Sequence, residues 1–201
     1  VKVQFQNFKM AGQVMLQFKL AFILGIVVAF PYIFYEFWRF IKPALREREL
    51  KGARGVIFWV SFQFFLGVAF AYFLMAPFTI NFLAGYTITD KAVNQFFLDD
   101  YFSLMTQIIL GMGVLFELPV LVFFLTKVGL LTPDFMRSYR RHAVVVILVL
   151  AAVITPPDVI DQLIVFTPLY LLYEISIFIS KKALREMDEK ERTPVVEDEW
   201  S

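Results

Sequence analysis

Five acidic residues stand inside or at the ends of long apolar runs: Glu36, Glu117, Asp158, Asp161 and Glu174. A carboxylate taken out of water is costly unless it is paired. At membrane depth such groups mark proton paths, counter-ions or polar contacts with another helix. Glu117 is the sharpest case. It sits in VLFELPVLVFF, residues 114–124, with no basic neighbour in sequence and with Pro119 two positions on. Proline removes a backbone donor and loosens the helix around it, so a carboxylate and a freed carbonyl fall close together in the run. That arrangement suits a polar anchor and not a catalytic base. Glu36, beside Trp38 and Arg39, reads as an interfacial ion pair, and Glu174 in LYEIS reads as structural. Asp158 follows two prolines; it either caps the last helix or belongs to a functional polar hairpin with Asp161 and Gln162.

Enzyme chemistry finds little support. His142 is the single histidine, next to Arg140 and Arg141, and reads as a membrane-edge residue. The chain has no HExxH, no metal-ligand spacing and no glycine-rich phosphate loop. Asp158 and Asp161 share one turn, so they do not oppose each other across two helices as a protease pair would. With no cysteine, disulfide and thiol chemistry are excluded. No cofactor, metal or nucleic acid is expected.

The elements that hold these acids are membrane helices. Of 201 residues, 59% are hydrophobic and 18% charged, 25 are Phe, and mean hydropathy is +0.69; soluble domains run at about 45–50% apolar and about 25% charged. Residues 56–89 contain no charge at all. A crossing helix needs about 20 mostly apolar residues, and open sheet edges cannot sit in lipid. The expected fold is therefore an all-α polytopic membrane protein, with five spans at about 19–41, 56–83, 101–126, 142–156 and 159–180 in one domain, 1–180. Loop 42–55 carries Lys42, Arg46, Arg48, Lys51 and Arg54, and loop 127–142 carries Lys127, Arg137, Arg140 and Arg141. The positive-inside rule puts both loops and the C-terminus in the cytoplasm, where they also meet anionic lipid headgroups. Loop 84–100, with Asp90, Asp99 and Asp100, then faces out. Lys2, Lys9 and Lys19 fit this poorly, and an odd number of spans starting at Val1 leads us to expect a further helix before them. The fourth span has about 15 residues, roughly 22 Å at 1.5 Å each against a hydrocarbon core of about 30 Å; the final hairpin is short and polar. Residues 181–201, rich in Glu and Asp after Lys181, Lys182 and Arg185, are expected to form a disordered cytoplasmic tail.

Several short stretches, in order, carry a resemblance. Trp38, Phe40, Ile41, Pro43, Ala44, Leu45 and Glu49 form W-x-F-I-x-P-A-L-x-x-x-E; then come FAYF at 70–73 with Pro77, FELPV at 116–120, TPPD at 155–158 with Gln162, Pro168, and LYEIS at 172–176. This series resembles the TatC family of the twin-arginine, or Sec-independent, protein translocase. The resemblance implies six helices in a glove-like concave bundle with both termini cytoplasmic, so the first helix of the family would precede this sequence. It also implies a receptor for the twin-arginine signal peptides of folded export substrates, located in the cell inner membrane. Such a receptor assembles with the single-helix subunits TatA and TatB, and with further copies of itself, under the protonmotive force. On motif positions, Phe40 and Glu49 would contact the signal peptide, Glu117 would lie on the concave face, and Asp158 and Gln162 would meet partner helices. Asp161 stands where the family more often has a small hydroxyl residue. The alternative is an ion-coupled small-solute transporter using Glu117 and Asp158 as a proton relay. It calls for inverted repeats or paired broken helices, and none is visible.

Overall fold

The computed structural model describes residues 5–6, 11–41, 53–85, 96–155 and 159–192. Helix α1 spans Gly12–Ile41, α2 Ala53–Phe70, α3 Ala76–Gly85, α4 Leu98–Leu115, α5 Leu118–Lys127, α6 Pro133–Ser138, α7 Arg140–Ile154 and α8 Val159–Arg192. The single sheet among the described residues is a parallel pair of two-residue strands, β1 Phe5–Gln6 beside β2 Phe96–Phe97. Four helical runs, 12–40, 55–85, 98–127 and 159–187, are long and apolar enough to cross a membrane. The fifth, α7, has 15 residues.

Two of the long runs are not uniform. Between α2 and α3, Ala71–Met75 forms a π-helical turn, closed by the Ala76 N–H on the Ala71 carbonyl. Pro77 follows directly and has no N–H for the Phe73 carbonyl one turn back, so the wider turn falls where an α-helical ladder is already incomplete. Between α4 and α5 the chain breaks at Phe116–Glu117. Pro119 lies in the first turn of α5, where a missing N–H costs nothing to the new helix. Helix α5 ends in a Schellman turn: Gly129 N–H meets the Thr126 carbonyl, Leu130 N–H meets that of Leu125, and Gly129 takes φ 80°, a value open to glycine at little cost.

The core lies where α4, α7, α8 and the π turn converge, around Met75, Ile108, Met112, Ile147, Val165 and Leu169. Helices α2 and α4 approach closely, because a Cβ on Gly67 would lie 2.7 Å from the Met112 carbonyl oxygen and 2.8 Å from the Phe116 Cβ. Large side chains such as Phe22, Phe73 and Phe178 point away from the bundle, as a lipid-facing surface requires.

Two expectations are corrected. The final helix does not stop near 180: α8 continues to Arg192, so residues 181–192 are helical and not a disordered tail. Strong helix formers fill this stretch (Ala183, Leu184, Glu186, Met187), and Ala183 is buried at 1% exposure. Residues 193–201 lie outside the described residues. Lys19, the basic residue that sat poorly at the outer end, donates to Ser103 Oγ and lies 3.9 Å from the Asp99 carboxylate. Its charge is matched by the start of α4, and the outer end needs no other account of it.

Candidate functional site

The site is built on the break in the third long run. Glu117 caps the N-terminus of α5 in helical backbone geometry, φ −77° and ψ −1°, and its side chain makes no cap hydrogen bond. Its backbone is fully used: the N–H meets the Val114 carbonyl, and its own carbonyl accepts from Val120 and Leu121. Both carboxylate oxygens are buried without a hydrogen-bond partner among the described residues. Around them Phe116, Pro119 and Val120 are buried, and Phe116 packs beside Phe70 at 5.7 Å. An acid so placed has one favourable neighbour, the positive end of the α5 dipole. Chemically this is a polar group held at a fixed depth, able to bond to a donor brought in by another chain.

Phe40 occupies the last turn of α1 and is 80% exposed. Trp38, two positions earlier and so about 200° around the helix, is turned inward and packs on Phe124 at 5.2 Å. The inward Trp fixes the rotation of α1 and leaves Phe40 presented outward. On the same turn Glu36 and Arg39 pair at 3.8 Å, an exposed contact worth little by itself. Glu49 and Asp158 lie outside the described residues. Gln162 donates from Nε2 to the Leu148 carbonyl at 3.0 Å, bracing α8 against the short α7. No hydrogen bond joins Gln162 to Glu117 among the described residues; the polar hairpin and the FELP break are separate places on different helices.

Other polar groups inside the bundle were not singled out from sequence. Gln63 on α2 and Thr79 on α3 are buried, and Asp161, whose role the sequence left open, is wholly buried in the first turn of α8. Thr126 and Ser180 share a 2.8 Å hydroxyl contact between α5 and α8. Glu174 accepts from Arg140 at 2.8 Å and from Tyr170 at 3.2 Å, which ties the start of α7 to α8, as a structural carboxylate does. The signal was present in each case as one polar residue within an apolar run, as in VSFQFFLG. What was missing was the partner, tens of residues away.

The family profile described as Sec-independent protein translocase protein (TatC) matches residues 1–168. The chain belongs to the TatC family. TatC of Blattabacterium sp. subsp. Periplaneta americana (strain BPLAN) is 45% identical over 178 residues, 89% of this chain and 67% of that protein. TatC of Halalkalibacterium halodurans is 40% identical over 92% of this chain and 73% of its own length. A crystal structure described as the twin arginine translocase receptor TatC superposes with a TM-score of 0.76 at 35% identity, covering 91% of this chain and 80% of the other. The fold is accordingly that of a multi-pass TatC membrane protein, a component of the Sec-independent translocase. These relatives are all protein translocase subunits, and nothing in them supports a small-solute carrier.

Proposed function

We propose that this TatC chain is the signal-binding receptor core of a twin-arginine translocase, with the basic end of the bundle and the C-terminus in the cytoplasm. The observation that carries the reading is the agreement of sequence and fold along nine-tenths of the chain with a protein described as a twin-arginine translocase receptor. In this reading residues 1–180 form one membrane domain, Phe40 and Glu49 meet the signal peptide at the end of α1, and Glu117 is a polar anchor on the concave face. Phe40 offers an exposed aromatic surface. A carboxylate at 49 would receive an arginine fork bidentately, which a lysine cannot match. Binding of a labelled twin-arginine signal peptide to the purified protein in detergent is the test. Binding should be lost when both arginines become lysines; equal binding of the two peptides would remove the receptor assignment.

Within that reading Glu49→Gln should weaken peptide binding about tenfold, because a hydrogen bond to a charged group is worth about 1.5–3 kcal/mol. Glu47→Gln should do less, since position 47 lies outside the matched motif. Equal losses at the two positions would argue for general electrostatics and against a defined site at Glu49.

Asp158 and Gln162 are assigned to docking of the TatA and TatB helices. A polar bond between membrane helices contributes about 0.6–2 kcal/mol, so replacing both residues with Ala should reduce site-specific crosslinking to those helices by threefold or more, on the order of one such bond, while peptide binding persists. Gln162 also braces α7 through Leu148, so the unfolding temperature of the double variant must be read alongside. Loss of peptide binding together with crosslinking would mean a collapsed hairpin and would remove the docking role.

A further inference from the structure

At the basic end of the bundle a crevice of about 200 Å³ opens between α2, α5 and α8, walled by Gly55, Trp59, Val60, Val120, Phe123 and Ile179 among others. Every side chain in its wall is apolar. Gly55 leaves it open on the α2 side, where a Cβ would meet nothing within 4 Å. Lys127 brings its ammonium to 5.8 Å from the centroid of the Phe123 ring, so one wall residue carries a cation at the end of α5. We propose that this crevice binds one acyl chain of an anionic phospholipid, with the headgroup held at Lys127. The proposal rests on the basic end facing the cytoplasmic leaflet.

Size and charge choose this occupant over another helix. A helix with side chains is about 10–12 Å across and rises 5.4 Å per turn, so one turn fills roughly 500 Å³, more than twice the space available. The crevice also lacks the polar side chains that hold membrane helices together. A single hydrocarbon chain fits a narrow apolar slot, and basic pockets between helices on the cytoplasmic side favour anionic headgroups.

The test is native mass spectrometry of the protein extracted from vesicles of mixed phosphatidylglycerol and phosphatidylethanolamine. The wild-type protein should retain a phospholipid, with phosphatidylglycerol preferred. Gly55→Leu and Ile179→Phe, which fill the slot from α2 and from α8, should each lose it. Lys127→Gln should keep a lipid but lose about fivefold in headgroup preference, the worth of one basic residue near a charged surface. Lys127→Gln is a rim change and decides the headgroup claim even if a filling variant misfolds. Retention of the lipid in both filled variants, or an unchanged preference in Lys127→Gln, would overturn the proposal. So would a photocrosslinker at Val56 that captured a second copy or a single-helix subunit in place of phospholipid.

Discussion

Gly67→Val is expected to force α2 away from α4 and to lower stability by about 1–3 kcal/mol, the usual cost of overpacking a close-fitted interior. The first atom added is already too much. A Cβ at position 67 would lie 2.7 Å from the Met112 carbonyl oxygen and 2.8 Å from the Phe116 Cβ, and neither can swing aside, because one is backbone and the other is the root of a buried side chain. Helices in lipid associate through close approach at small residues, and this contact supports the segment that leads into Glu117. In a chain of this size the loss corresponds to roughly 3–10 °C in unfolding temperature, measurable by heating the detergent-solubilised protein. Gly25→Val is the control: a Cβ at Gly25 meets nothing within 4 Å, so the same change there should be nearly silent. If both variants melt with the wild type, the α2–α4 contact is not a close-packed one.

Glu117→Leu should give a protein that inserts and folds at least as well as the original yet exports poorly. An acid facing lipid near the centre of a span costs about 2.5–3.5 kcal/mol on insertion scales, and leucine removes that cost. What leucine cannot supply is a bond to a partner helix or a passing signal peptide, worth about 0.6–2 kcal/mol in a membrane and hence about 3- to 30-fold in an association constant. Glu117→Gln keeps the shape and two kinds of hydrogen-bonding atom, so most export should remain. Export of a twin-arginine reporter, scored against the amount of folded protein in the membrane, separates the cases. Export by the Leu variant at the wild-type rate would leave the carboxylate without a role in transport.

What was legible in the sequence was whatever a single run of residues can state. Charge-free runs located the membrane helices, and FELP announced a break that appears at Phe116–Glu117. Neighbouring opposite charges at Glu36 and Arg39 foretold their pair. Features made by two distant stretches were hidden. Lys19 looked misplaced until Asp99 and Ser103, some 80 positions on, were seen beside it. Gly67 looked like any glycine in an apolar helix, and only the approach of α4 shows why nothing larger fits. Helix boundaries erred wherever polarity was taken for the end of structure. Gln13 and Gln17 lie within α1, and α8 continues through Lys181 and Lys182 to Arg192, because a helix leaves the apolar zone without ceasing to be helical. The roles of Phe40, Glu49, Glu117, Asp158 and Gln162 came from the resemblance, and the binding experiments above decide them.

The π turn at Ala71–Met75 has a consequence for the phase of its helix. Gly67, Ala71, Met75 and Thr79 are all buried, at intervals of four. In an unbroken α-helix each interval of four overshoots a full turn by about 40°, so three of them would carry Thr79 about 120° past Gly67, toward the lipid. The wide turn acts as an inserted residue and takes back about 100° of that drift, which holds α3 in step with α2 against the same neighbours. Length and orientation are therefore coupled in this span. Deleting one residue between 71 and 75 would shorten it by only about 1.5 Å, a trivial change against the thickness of a bilayer. The same deletion would swing everything beyond it, Thr79 included, by more than a quarter of a revolution.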